Sequence, residues 1–522
     1  MMRVLYPEEM AKLDRAAMDA GTPSLQLMEN AGRAVAEQAR EMLGGICAGR
    51  RVVVVAAKGN NGGDGMVAAR YLASWGAAAR VVLLGDPEEL SPDAAANYRR
   101  YREGGGEVVS GGAGALREEL RGAELVIDAL FGFGFRGSAQ GEFAAAIEAV
   151  NACGARVLSV DIPSGMDAAT GEVRGPAVEA ERTVTLAWPK TGLYLYPGAE
   201  KVGELVVADI GIPADLVESV VESDIHVLEE GDVAEMIPPL PAHAHKGQRG
   251  KVLVVAGCEG LTGAAALCSR AALRAGAGVV TLGIAAGLNP VMEVKLTEVM
   301  TLPLPDEEGR HCRREAAARV LEEAERYDAL ALGPGLGRAT STAEMVWDLL
   351  ERWEKPLVLD ADGINCAAER PQCLQRREYP TILTPHPGEL GRLLGKTAGE
   401  VQGSRLACAL SAAGALRCVV VLKGADTVIA DPSGRAVFHH LALPELATAG
   451  SGDVLTGCIA AFCARGLGAL AAAQCGVFLH GSAARLACSM VGGLGMVAGD
   501  IIAHLPLALA GLRGGKKGGN RK

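Results

Sequence analysis

The sequence predicts an α/β protein made of two three-layer α/β/α domains. Three observations carry that prediction. Short apolar, β-branched runs alternate with segments of helical periodicity, the pattern of doubly wound sheets. The pattern breaks once, over 211–248, at Ile212-Pro213, an acidic run and Ile237-Pro238-Pro239-Leu240-Pro241. At 522 residues the chain is also too long for one ordinary core. The boundary is placed near residue 220, giving domains at 1–220 and 221–512 and a basic tail at 513–522.

Each element has its own signal. Two amphipathic helices come first, 8–20 and 24–43. Strands follow at 51–57, 80–84, 125–130, 156–160, 183–187 and 204–207, with helices such as 68–74 and 143–152 between them. After the break, strands are expected at 251–256, 279–283, 329–332, 357–359, 381–384 and 418–422. The runs 428–430 and 436–439 flank Asp431-Pro432-Ser433-Gly434 and read as a β-hairpin. A helical end runs from 452 to about 512.

Composition narrows the class. The chain is 49% hydrophobic and 22% charged, which is globular rather than disordered. Aromatics are only 4%, so the core must be built from Ala, Val and Leu. A net charge of −11 argues against nucleic acid as a partner. The basic tail RGGKKGGNRK is the exception and reads as a solvated segment. Thirteen cysteines, eleven of them from Cys258 onward, show neither CxxC nor zinc spacing. Scattered thiols fit a reducing, cytoplasmic location. The opening MMRVLYPEEMAKLDRAA lacks the apolar stretch of a signal peptide, and no run is long enough to span a bilayer. No membrane partner is expected, while Ala-rich helix faces favour a homo-oligomer.

The chemistry-bearing residues cluster at strand ends. Lys58-Gly59-Asn60-Asn61-Gly62-Gly63-Asp64-Gly65 follows the first strand and is expected to be a loop leading into a helix at Met66. Such loops bind ligands in open sheets, and helix amides there suit phosphate. Leu125-Val126-Ile127-Asp128 runs into Phe131-Gly132-Phe133-Gly134-Phe135-Arg136-Gly137, a formal GxGxxG on a later strand than a dinucleotide fingerprint requires. Asp161-Ile162-Pro163-Ser164-Gly165 ends another strand. Each loop alone could be an Asx turn or a helix cap; three at one sheet edge point to a site. Asn61, Asp128 and Ser164 can offer oxygens to a hard cation. Asp161 is the candidate acid–base group, with Lys190 behind it.

In the second half, Thr448-Ala449-Gly450-Ser451-Gly452-Asp453 runs small residues into a helix start. That makes an amide nest for an anion, with Asp453 placed to take a proton from a hydroxyl attacking the bound phosphate. A plain helix cap uses the same residues. Lys423-Gly424-Ala425-Asp426-Thr427 suits a nucleotide, or is a simple hairpin turn. Gly333-Pro334-Gly335-Leu336-Gly337, Asp360-Ala361-Asp362 and Thr384-Pro385-His386-Pro387-Gly388-Glu389 end three further strands, and no P-loop motif occurs.

Taken in order, these loops resemble the bifunctional NAD(P)H-hydrate repair family over nearly the whole chain. The resemblance implies an N-terminal Rossmann-like NAD(P)HX epimerase and a C-terminal ribokinase-like, ADP-dependent NAD(P)HX dehydratase. It implies that Asn60, Asn61, Gly62, Gly63, Asp64, Gly132 to Ser138 and Asp161 contact NADHX or NADPHX in the first. Potassium would sit on Asn61, Asp128 and Ser164. In the second, Ala264, Gly335, Gly337, His386 and Asp453 would line the substrate, Lys423 to Thr427 and Gly452 would hold ADP, and Glu389 would organise magnesium. Phe133 departs from the family's usual Thr, and Ser451 replaces a common Thr while keeping its hydroxyl. The alternative on the residues alone is a ribokinase-like kinase of a stable alcohol, fused to a ligand-binding α/β domain.

Overall fold

The structure, a computed structural model, describes residues 1–514 apart from Ala242 and Ala244. The basic tail lies, from residue 515 on, outside the described residues. The chain divides into two compact units, Arg3–Ser223 and the residues from Asp224 onward together with Met1–Met2.

The first unit is built on a parallel sheet. Its strands run in the order Glu107–Ser110, Ala78–Leu83, Arg51–Ala56, Leu125–Ala129, Arg156–Val160, Arg182–Leu186 and Glu204–Ala208. Alternation explains the layers. Val52, Val54 and Ala56 join one apolar cluster, and Val53, Val55 and Ala57 join another on the opposite face. The direction of winding reverses between Arg51–Ala56 and Leu125–Ala129. The carboxyl ends of those two strands therefore open a crevice.

One expected loop is helix instead. The helix following the first strand begins at Asn60 and runs to Ser74, so the Asn-Asn-Gly-Gly-Asp-Gly stretch forms its opening turns. Close packing explains the glycines. A β-carbon on Gly62 would collide with the Ala57 carbonyl, and on Gly65 it would lie 2.5 Å from the Ala129 β-carbon. The helices Pro92–Glu103 and Ala113–Leu120 and the edge strand Glu107–Ser110 had no apolar run to announce them.

The second unit has a larger sheet. From Asp224–Val227 the order is Arg435–His440, Asp426–Ala430, Val419–Leu422, Thr381–Leu383, Leu357–Leu359, Ala329–Leu332, Lys251–Val255, Val279–Ala285 and Met300–Leu304. Asp426–Ala430 alone in this series runs antiparallel to its neighbours, as the hairpin reading requires. Winding reverses between Lys251–Val255 and Ala329–Leu332, which again sets a crevice at their carboxyl ends. The helical end is three helices, Ser451–Ala464, Ala469–Val491 and Ala498–Gly514. Ser451–Ala464 packs on Thr262–Arg274. Small residues allow that approach, for a β-carbon on Gly457 would collide with the Cys268 carbonyl. Among the described residues no helix is long and apolar enough to cross a membrane.

Candidate active sites

In the first unit a cavity of about 610 Å³ opens at the switch point. Asn60, Asn61, Asp64, Gly132, Phe133, Gly134, Phe135, Asp161 and Lys190 line it. Gly62 and Gly63 do not; they are pressed against Ala57 and the Met28 side chain. Arg136 reaches instead to Glu8 at 2.8 Å and to the carbonyls of Phe133 and Phe135, bracing the loop. Gly137 and Ser138 also lie off the cavity wall, and the Ser138 hydroxyl donates to the Ala139 carbonyl at 3.3 Å.

Asp161 is the best-held group there. It sits at the end of Arg156–Val160 with φ 67, the left-handed region that Asp tolerates better than most residues. Its Oδ1 accepts from Lys190 Nζ at 2.6 Å, Leu186 N at 3.2 Å and Thr185 Oγ1 at 3.3 Å, and its Oδ2 accepts from Phe133 N at 3.1 Å. Asp161 and Lys190 are both buried, and the Lys190 ammonium lies 5.5 Å from the Phe133 ring centroid. Phe133 thus covers the ion pair, a contact no Thr could make. Asp14 also lines this cavity, although no motif surrounds it. Burial, opposed by Lys190 and reinforced by Asp161, raises its pKa to about 6. Asp64 is raised well above the carboxylate range, by burial first and then by Asp161 and Asp14.

Beside the cavity, Asp128 is fully buried. It accepts from Ser164 Oγ at 2.6 Å, Ser164 N at 2.9 Å and Ser159 Oγ at 2.8 Å. Burial raises its pKa and those bonds lower it. Among the described residues no cationic side chain pairs with it. Asn61 is buried with its Nδ2 unpartnered, its Oδ1 facing Gly132. One carboxylate amid neutral oxygens fits a monovalent hard cation, and among the described residues no group of three His, Cys, Asp or Glu is placed to hold a metal ion.

In the second unit a cavity of about 280 Å³ is lined by Lys423, Gly424, Ala425, Thr427, Ser451 and Gly452, with Leu443, Leu446, Leu455 and Val477 as apolar walls. His439 and His480 line it too, and burial lowers each pKa to about 4, so both are neutral. Asp426 does not line it. Its carboxylate turns inward to Arg405 Nε at 3.2 Å, because Asp426 shares the inward face of its strand with Val428 and Ala430. Arg405, which had no motif, donates to the carbonyls of Leu422, Lys423 and Asp426 at 3.1, 3.2 and 2.8 Å and so pins the turn. A β-carbon on Gly424 would lie 2.5 Å from that guanidinium.

Asp453 stands in the first turn of Ser451–Ala464, just after Gly450 with φ 89. Burial and the neighbouring Asp360 push its pKa up to about 7, with Lys423 opposing. Lys423 Nζ donates to Asp360 Oδ1 at 2.8 Å and lies 3.9 Å from Glu389 Oε2, while Thr456 donates to Asp360 Oδ2 at 2.7 Å. Burial would lower the Lys423 pKa, but Asp360 and Glu389 overcome it and the pKa stands raised. A β-carbon on Gly335 would lie 3.0 Å from that of Ala264, and Gly337 N donates to Asp362 at 2.9 Å. The Gly-rich loop and the Thr262 helix therefore meet at the crevice. His386 caps Pro387–Leu394, its Nδ1 accepting from Gly388 N at 3.0 Å and Glu389 N at 3.3 Å. Its ring is half-exposed, so one imidazole nitrogen is structural and the other stands 3.3 Å from Glu389 Oε1.

Two doubly wound units, each with a Lys–Asp pair beside a ligand-sized cavity at the carboxyl edge of its sheet, define a two-site α/β enzyme. Comparison with known proteins is specific. The family described as NAD(P)H-hydrate dehydratase matches residues 252–507, and that described as YjeF-related protein N-terminus matches residues 24–192. A bifunctional NAD(P)H-hydrate repair enzyme of Moorella thermoacetica is 43% identical over 516 residues, 98% of this chain and 97% of its own. One from Thermofilum pendens is 42% identical over 516 residues, 98% of this chain and 97% of its own. Among solved structures, an ADP/ATP-dependent NAD(P)H-hydrate dehydratase from Bacillus subtilis is 30% identical, with a TM-score of 0.47, 55% of this chain and 99% of that one. The chain belongs to the bifunctional NAD(P)H-hydrate repair enzyme family.

Proposed function

We propose that the unit Arg3–Ser223 interconverts the R and S forms of NADHX and NADPHX, and that the unit from Asp224 dehydrates the S form with ADP, yielding NAD(P)H, AMP and phosphate. The substrate carries a hydroxyl on carbon 6 of the ring, where water has added across a double bond. Hydroxide leaves poorly, water's own pKa being about 15.7. A phosphate ester leaves far more readily, its relevant pKa being about 6.

The observation that carries this reading is Asp453, a carboxyl with pKa about 7 beside the amide nest and Lys423. A base near neutrality is suited to taking the hydroxyl proton. The freed oxygen attacks the β-phosphorus of ADP, and AMP departs. The nitrogen lone pair then expels phosphate from carbon 6, and loss of a proton from carbon 5 restores the dihydropyridine. Lys423, Gly424, Ala425, Thr427 and Gly452 would hold the nucleotide, and Gly335, Gly337, Ala264 and His386 the hydrated ring. Asp426 acts by shaping the turn through Arg405. Glu389 would organise a magnesium ion, which supplies positive charge to the phosphates. In the first unit Asn61, Asp128 and Ser164 would hold potassium, which neutralises the buried Asp128 and steadies the loop above it. Asp161 and Lys190 set their charges against the ring. Thirteen free thiols support a cytoplasmic setting; we assign a homo-oligomer acting on small molecules alone.

The test is incubation of a mixed-epimer hydrate with ADP and magnesium, following recovery of nicotinamide absorbance. Asp453→Asn is expected to abolish nucleotide-dependent repair and leave epimerisation intact, and Asp161→Ala to do the reverse. A folded variant of either kind that loses both activities, or a stable phosphorylated product, overturns the assignment.

A further inference from the structure

Helix Pro7–Asp19 places Met10, Asp14 and Met18 on one face, and all three line the cavity of the first unit. Asp14 thus stands one turn from the buried Met10, so the helix carries a carboxyl on the stripe that faces the cavity. Asp64 and Asp161 face the same space, and Lys190 is the buried cation there. Asp161 takes Lys190 and already accepts four hydrogen bonds, as many as a carboxylate has lone-pair sites. Among the described residues no donor or cation holds the carboxyl of Asp14 or of Asp64, although Asp64 is only 7% exposed. Lys58, also on the lining, is exposed and pairs with Glu89 at 3.0 Å, so these three carboxyls share one buried lysine and do not all ionise at neutrality; the cavity stores a proton. Burial pushes the Asp64 carboxyl well above its ordinary value, and Asp14, which is more open, is pushed up to about 6.

We propose that Asp14 is the acid–base residue that moves the hydroxyl proton during epimerisation, while the Asp161–Lys190 pair fixes the charge beside the ring. The inference rests on the epimerase reading of this unit. The carbon 6–oxygen bond breaks with its electron pair going to the hydroxyl. That group takes the Asp14 proton and leaves as water. The nitrogen lone pair closes the nitrogen–carbon 6 double bond. Water then adds to the opposite face of carbon 6, the pair returns to nitrogen, and the surplus proton goes back to the Asp14 carboxylate. Nothing is oxidised or consumed.

The charged groups around Asp14 are few. Lys190 and Asp161 come from the sheet edge, Asp64 from helix Asn60–Ser74, Asp93 from helix Pro92–Glu103, and Lys58, exposed and paired with Glu89 at 3.0 Å, from the turn before Asn60. On its own helix Lys12 and Arg15 are exposed. Helix Ala214–Val220, also packed on it, brings Asp215 and Glu218, the latter held by Arg3 at 3.0 Å.

The test follows conversion of the R form to the S form by chromatography, without ADP, across a pH series. Wild-type turnover is expected to decline as pH rises through about 6, the Asp14 midpoint. Asp14→Asn should lower kcat by about 10²–10⁴-fold at similar KM and erase that limb, while ADP-dependent repair of the S form continues. Asp14→Glu should restore turnover with a moved midpoint. Wild-type protein that fails to accelerate epimerisation sinks the epimerase reading itself. Accelerated epimerisation with an unchanged rate and pH profile in Asp14→Asn overturns the role of Asp14 alone. If the Asn variant does not fold, an unmoved midpoint in Asp14→Glu has the same force.

Discussion

Replacing Asp453 by Asn should stabilise the second unit while stopping its chemistry. The carboxyl has a folded pKa of about 7 against an ordinary 3.8, burial and Asp360 being the causes. Between those two values the folded state binds more protons than the unfolded one, so stability falls as pH rises through that window. About three pKa units at about 1.4 kcal/mol each give a cost of up to about 4 kcal/mol above the folded pKa. An amide carries no such cost. The Asn variant should therefore exceed the wild type by up to about 4 kcal/mol near pH 8 and match it near pH 4. Urea unfolding, read by pulsed hydrogen exchange on peptides of Ala329–Leu332 and Val419–Leu422, isolates this unit from the other. Dehydration in the wild type should in turn fade as pH falls through about 7, because the base must be ionised. A stability gain of equal size at both pH values would refute the reasoning, since the benefit would then have nothing to do with ionisation.

Three further outcomes follow from the geometry. Lys190→Met strands Asp161 in a buried site and should cost the first unit about 3–5 kcal/mol, read by urea unfolding, with epimerisation lost and dehydration kept. Gly62→Ala forces a methyl into the Ala57 carbonyl and should lower stability by about 2 kcal/mol or more, seen as an earlier melt of the same unit. Withdrawing potassium should slow epimerisation, and Ser164→Ala should remove that dependence, both read from the R-to-S rate without ADP.

The sheets were legible because their strands are buried on both faces. Val52 to Val55 could scarcely be anything else. Asp224–Val227, reading Asp-Ile-His-Val, carries no such run and passed unseen. The helix start at Asn60 was misread for a physical reason: two Asn and three Gly have poor helix propensity, and packing against Ala57, Met28 and Ala129 overrides it. Asp426 was grouped with the ligand contacts by adjacency, although the period of two along its strand turns it inward. Asp14 had a signal, its i±4 spacing to Met10 and Met18, but acidic residues on helices are so common that the stripe drew no attention. Arg405 had none, because its role is to satisfy carbonyls brought near only by folding.

Two unrelated sequences arrive at one electrostatic arrangement. Each unit ends a parallel strand in a buried Asp held by a Lys, Asp161 with Lys190 at 2.6 Å and Asp360 with Lys423 at 2.8 Å. Each sets a second carboxyl nearby, on a helix, with no cation of its own: Asp14 and Asp453. Burial is the main cause that raises the pKa of each unpaired carboxyl, with the paired Asp adding to it and the lysine opposing, so a carboxyl can exchange a proton near neutrality. That shared device follows from the shared target. On the mechanisms proposed above, both reactions act on the proton of the same ring hydroxyl, one to let it leave and return, the other to arm it as a nucleophile. An ordinary carboxylate, ionised and solvated, would be a poor donor for the first and too weak a base for the second. The lysine confines negative charge to one carboxyl, and it is the other that is left free to work.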